Sequence, residues 1–215
     1  MLNLYYANIG LLEDEQVFQH VLEKVSIQRR EKVLRCMQEK DKRRSLLAGY
    51  LLRIALEREG LVYEGLSFSK TEKGKPVILE LPQLFFSLTH AGVYAACVIS
   101  NQPVGVDIET KDKSLFYDEK TSQLVSVAKK VLTQEEWQRF ERADNQTKME
   151  LFLRFWTRKE SYSKADGRGL GLELNQIDTD KDTFYSKWLD ENALLSVYTE
   201  KGTVAELQIE EIMKL

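Results

Sequence analysis

Cysteine, proline and histidine are all scarce in this chain, which has two Cys, three Pro and two His among 215 residues. The two cysteines, Cys36 and Cys97, stand far apart with no second Cys or His at metal-ligand spacing, which excludes a disulfide framework and a zinc site. No apolar run approaches the roughly 20 residues of a membrane-spanning helix, and no basic stretch followed by an apolar one opens the sequence. A cytoplasmic protein without a membrane partner is expected. Positive charge is not in excess either: 31 Lys and Arg face 34 Asp and Glu, a formal charge of −3. That balance argues against nucleic-acid binding, although basic residues crowd between Arg29 and Arg44. A polyanion bound there should be small.

What is present is the composition of an ordinary globular protein, 43% hydrophobic and 30% charged. Leu2 to Ile9 reads as a strand, and acidic Glu13 to Glu15 introduce a helix with Val17, Val21, Leu22 and Val25 on one side. Two helices follow between Gln28 and Glu59, with a charged break expected at Glu39 to Arg44. Leu84 to Leu88, Val93 to Ser100 and Val104 to Glu109 read as strands. Helical periodicity returns at Leu124 to Val131, Thr133 to Arg142 and Asn145 to Ala165, and Thr133 and Glu136 have capping-box spacing. Phe184 to Leu189, Leu194 to Thr199 and Thr203 to Ile209 read as an antiparallel meander. Each half thus combines helices with a small sheet, and a boundary between the halves would fall at Asn101 to Pro103.

Several groups of residues invite chemistry. On a strand, Asp107 and Glu109 share one face while Val106 and Ile108 take the other. Two adjacent carboxylates repel unless a cation lies between them, so the pair is a candidate Mg²⁺ ligand set; alone, such a pair is more often a polar strand edge. Trp156, Glu160 and Lys164 fall at i, i+4 and i+8 on one helical stripe, which is also the spacing of a plain surface ion pair. Gly167 and Gly169 follow as a helix C-cap. His90 ends an apolar strand in Ser87-Leu88-Thr89-His90, where a hydroxyl and free amides suit a phosphate. A Lys73-Gly74-Lys75-Pro76 turn and the basic helix from Arg29 complete the set.

Taken together and in this order, the basic helix, Gly-Lys-Pro, Ser-x-Thr-His, Gly-x-Asp-x-Glu and Trp-x-x-Lys-Glu-Ser-x-x-Lys-x-x-Gly-x-Gly resemble the surfactin-synthetase-activating type of 4'-phosphopantetheinyl transferase, over about Arg29 to Leu170. Thr89 departs from the more usual Ser of that family and keeps the hydroxyl. The resemblance implies an α+β fold of two similar halves, residues 1–103 and 104–215, each a small, mainly antiparallel sheet with packed helices, facing each other across a pseudo-twofold. It implies a monomer whose substrates are coenzyme A and an acyl or peptidyl carrier protein. Asp107, Glu109 and Glu160 would hold Mg²⁺, with Mn²⁺ able to substitute. Lys164, with Lys159 as a second candidate, would meet the pyrophosphate. Arg29, Lys32, Ser45, Thr89 and His90 would hold the 3'-phosphate, and Lys75 and Pro76 would lie along adenine and ribose. Glu160 would accept the serine proton, with Glu109 as a second candidate base. An Mg²⁺-dependent nucleotide phosphohydrolase and a non-catalytic scaffold are the competing readings.

Overall fold

The computed structural model of the chain describes residues 1–111, 120–168, 171–200 and 204–215. Gly169 of the expected Gly-x-Gly turn and Thr203 at the expected start of the last strand lie outside them.

Strand β1 (Leu2–Asn8) leads through a short 3-10 turn into α1 (Glu15–Lys24), whose first free amides, on Gln16 and Val17, donate to the Asp14 carboxylate. Helix α2 (Ile27–Leu34) is capped by Ser26, and α3 (Glu39–Arg58) follows. The break between them lies at residues 35–38, upstream of the charged run where the sequence suggested it. Glu39 and Asp41 sit in the first turn of α3, where the helix dipole favours acids, and pair with Lys42 at 2.6 Å and Arg44 at 2.9 Å. The charged run therefore starts the helix.

A hairpin of β2 (Phe68–Lys70) and β3 (Pro76–Ile78) precedes β4 (Phe85–Ala91) and β5 (Tyr94–Ser100). Then come β6 (Val104–Thr110), α4 (Lys120–Val131), α5 (Gln134–Arg142) and α6 (Asn145–Asp166). The predicted capping box forms: Thr133 accepts from the Glu136 amide, and the Glu136 carboxylate accepts from the Thr133 amide. Strands β7 (Phe184–Trp188), β8 (Ala193–Thr199) and β9 (Gln208–Glu211) close the chain.

The architecture is α+β, with mainly antiparallel sheets. A four-stranded sheet runs β4-β5-β1-β9 and a three-stranded sheet β6-β8-β7. One face of the first sheet, with Tyr5, Phe86, Cys97 and Ile99, packs on α1 to α3 through Leu46, Leu47 and Leu51. Its other face, with Leu4, Tyr6, Ala96 and Val98, meets Val106, Ile108, Leu195 and Val197 of the second sheet. Helix α6 covers the far side of the second sheet. Both faces of β6 are therefore buried, so Asp107, at 5% exposure, lies under a helix and is no solvent-facing edge residue.

The last strand corrects the expected meander. β7 and β8 pair antiparallel, but β9 crosses back and adds to β1 in parallel. An open strand edge carries unpaired backbone groups that something must cover. Here Glu211 accepts from the Tyr6 hydroxyl at 3.0 Å, Glu210 pairs with Arg58 at 2.7 Å, and Ile212 enters the N-terminal core. The two halves thus interlock beyond the 103/104 division.

Candidate active site

A cleft of about 930 Å³ opens between α2, the β2–β3 hairpin, β4 and the C-terminal half of α6. Among the described residues, seven Lys and Arg line it against a single acid, Glu160, which concentrates positive charge in a chain that is acidic overall.

At one end stand Arg29, Lys32 and His90. Arg29 can reach inward because α3 has a glycine beneath it: a Cβ on Gly49 would come within 2.7 Å of the Arg29 side chain. Of the five guanidinium donors, the one described hydrogen bond goes to the Ser45 carbonyl at 3.4 Å, and no described acid pairs with the group. Burial, then Arg29 and Lys70, hold the Lys32 ammonium below its usual value. Burial, then Lys32 and Arg44, hold His90 below the usual imidazole value. Cations crowded without a counter-charge form a site for an anion. The Ser45 hydroxyl is buried beside them without a described partner, but Ser45 is not part of the cleft wall.

Strand alternation splits the Ser-x-Thr-His motif. His90 faces the α2–α3 side, whereas Ser87 and Thr89 face β6. Thr89 Oγ1 donates to Asp107 Oδ1 and accepts from Lys164 Nζ and the Ile108 amide, at 3.3, 3.1 and 3.3 Å. Thr89 lines the cleft, but its hydroxyl bonds with the carboxylate and ammonium and not with the basic cluster expected to hold a phosphate.

The other end of the cleft is lined by α6, which packs on β6 behind it. The stripe Trp156, Glu160, Lys164 does face the Asp107–Glu109 strand. Trp156 Nε1 donates to Glu109 at 3.3 Å, and Lys164 Nζ to Asp107 Oδ1 at 2.6 Å. Glu160 and Lys164 make no ion pair with each other, so the surface-pair reading fails. All three carboxyl groups are raised above their usual range. Burial is the first cause in each; for Glu109 the neighbouring charges of Asp107 and Glu160 add, and for Glu160 that of Asp107. Asp107 Oδ2 is buried with no partner among the described residues. Three mutually repelling carboxylates and one orphaned oxygen fit a hard divalent cation such as Mg²⁺. The fit is one of donor chemistry: as they stand, no three described His, Cys, Asp or Glu side chains converge into a ready cage.

Two expected ligands have other work. Lys159 is fully buried, and its three donors go to the Glu136 carboxylate at 2.8 Å and the Leu174 and Ile177 carbonyls at 2.9 and 2.7 Å, leaving none for a substrate. Lys159 is not among the residues that line the cleft. Lys75 lines the cleft beside Pro76, but its ammonium bonds the Ala165 carbonyl, clamping the hairpin to the C-terminus of α6. Gly167, at φ +81°, turns the chain there.

Gly105 was missed as a site residue. A Cβ there would collide with the Ser161 carbonyl and lie 2.7 Å from the Ala165 nitrogen. Glycine in a strand signals such close backbone approach, and that signal was available in Gly105-Val106-Asp107.

A family model described as the 4'-phosphopantetheinyl transferase superfamily matches residues 103–210, and one described as 4'-phosphopantetheinyl transferase, N-terminal, matches residues 13–102. The chain is 33% identical over 155 residues to the 4'-phosphopantetheinyl transferase Sfp of Bacillus subtilis strain 168, covering 71% of this chain and 65% of that one. It is 27% identical over 199 residues to the 4'-phosphopantetheinyl transferase gsp of Aneurinibacillus migulanus, covering 92% and 75%. With the human L-aminoadipate-semialdehyde dehydrogenase-phosphopantetheinyl transferase it shares 30% over 149 residues, covering 64% and 47%. With the superfamily model over half of the chain and its N-terminal counterpart over most of the rest, the chain belongs to the 4'-phosphopantetheinyl transferase superfamily.

Proposed function

We propose that this cleft binds coenzyme A and transfers its 4'-phosphopantetheine group to a serine of an acyl or peptidyl carrier protein, converting apo to holo carrier and releasing adenosine 3',5'-bisphosphate. The observation that carries the reading is the juxtaposition, in one cleft, of an unneutralised basic cluster and Glu160, backed by buried Asp107 and half-buried Glu109. The similar proteins that bear transferase names support it.

Arg29, Lys32 and His90, with Ser45 behind them, would hold the 3'-phosphate, and Pro76 with the Lys75 stem would lie along adenine and ribose. Asp107, Glu109 and Glu160 would hold Mg²⁺ or Mn²⁺. When bound, the cation would neutralise charge on the pyrophosphate and favour displacement at phosphorus. Lys164 reaches the cleft beside Asp107 and would meet charge building on the leaving group. The carrier serine oxygen forms the new bond to the phosphorus that bears pantetheine, the pyrophosphate P–O bond breaks, and its electrons leave with adenosine 3',5'-bisphosphate. Glu160 lines the cleft and Glu109 does not, which favours Glu160 as acceptor of the serine proton. With no cation bound, burial and Asp107 raise Glu160; a bound cation would lower it again, so the metal and positioning would carry most of the acceleration.

One chain supplies both walls of the cleft, which supports action as a monomer. Among the described residues no helix is long and apolar enough to cross a membrane. Release of adenosine 3',5'-bisphosphate from coenzyme A tests the reading. It should require an apo carrier; equal release without carrier would identify a phosphohydrolase instead.

A further inference from the structure

We propose that Thr89, seconded by Ser87, is a positioning residue for the carboxylate end of the site and not a ligand of the 3'-phosphate; the inference rests on the reading of the cleft given above. Strand β6 lies at the edge of its sheet, and the amides of Val106 and Ile108 find their described partners in side chains. Ser87 Oγ accepts from Val106 N at 3.2 Å, and Thr89 Oγ1 accepts from Ile108 N at 3.3 Å. Two hydroxyls spaced i and i+2 on β4 thus engage two amides spaced alike on β6. Buried amides seldom go unpaired, so this ladder fixes the register of one sheet against the other. Asp107 lies between the two anchored amides.

The Thr89 oxygen extends the arrangement from backbone to site. It accepts from Lys164 at 3.1 Å and donates to Asp107 Oδ1 at 3.3 Å, while Lys164 itself holds the same Oδ1 at 2.6 Å. Both contacts fall on Oδ1, which leaves Oδ2 as the oxygen without a partner. Thr89 and Lys164 together therefore orient the Asp107 carboxylate with Oδ2 free for a cation. A hydroxyl with its proton on Asp107 and its lone pairs on Lys164 and Ile108 has nothing left to offer a phosphate.

The test compares Thr89→Val, Thr89→Ser and His90→Ala with two substrates, coenzyme A and its analogue lacking the 3'-phosphate. Mn²⁺ affinity is read by electron paramagnetic resonance in the presence of that analogue and without carrier. Thr89→Val should weaken Mn²⁺ binding about 10- to 100-fold, the usual scale for a partner of a metal ligand, and should lower turnover equally with both substrates. Thr89→Ser should retain both properties. His90→Ala should impair only the substrate that carries the 3'-phosphate. Should Thr89→Val not fold, Thr89→Ala removes the hydroxyl without adding a methyl in its place and makes the same comparison. A loss in the Thr89 variant confined to the 3'-phosphorylated substrate, or unchanged Mn²⁺ affinity, overturns the proposal. Because the Mn²⁺ measurement involves no transfer, it stands even if the wild-type protein modifies no carrier.

Discussion

At the scale of single residues, Glu160 separates what the protein needs to fold from what it needs to act. Its carboxylate is held close to Asp107 in a partly buried site, and ionisation there is unfavourable. Melted in chelator at neutral pH, Glu160→Gln is expected to be more stable than wild type; assayed with Mg²⁺, it should transfer at least about a hundredfold more slowly, the scale of a lost general base. The sign of the pH dependence follows from the raised value. Below the ordinary carboxylate range both forms of the protein carry a neutral group and should melt alike. The penalty builds as pH climbs from the ordinary carboxylate value, where the unfolded chain ionises, to the raised value of folded Glu160, so the gain in the variant should open across that window and level off above it. A gap that closes with rising pH would contradict the electrostatic account. His90 gives the opposite case. Burial, Lys32 and Arg44 keep it neutral at ordinary pH, and an arriving phosphate should draw a proton onto it. Calorimetry in buffers of different ionisation enthalpy should show more proton uptake on coenzyme A binding by wild type than by His90→Ala.

At the scale of elements, the site depends on how closely α6 lies on β6. Gly105→Ala should push the helix off through the Ser161 carbonyl, costing roughly 1 to 3 kcal/mol of stability. It should also cost transfer activity in the protein that remains folded, because Glu160 and Lys164 ride on that helix. Gly171→Ala, where a Cβ meets nothing within 4 Å, is the control and should melt like wild type. Much of this level was legible in the sequence. The Asp107–Glu109 alternation and the i, i+4, i+8 stripe of α6 depend only on strand and helix period, and the structure brings Trp156 to Glu109 and Lys164 to Asp107. Lys159 was not legible, because its place between Glu136 and the 174–177 turn depends on segments distant in sequence. The same limit hid β9, whose short pattern suits either sheet until the β1 edge is seen to be open. Thr89 neighbours His90 in the motif, but adjacent strand residues face opposite ways, and its hydroxyl bonds Asp107 and Lys164.

At the scale of the molecule, charge and topology serve one cleft. Among the described residues, an acidic chain gathers seven Lys and Arg in a single cleft, so its surface elsewhere is more acidic than its total suggests. The halves interlock, with β9 paired beside β1 and Lys75 clamped on the end of α6. The most direct test of this account is the intact mass of an apo carrier protein after incubation with coenzyme A, Mg²⁺ and this protein. The account predicts a gain of one phosphopantetheine on a single serine, abolished by chelator and restored by added Mg²⁺ or Mn²⁺. An unchanged carrier mass across a set of acyl and peptidyl carriers, or full modification in excess chelator, would contradict it.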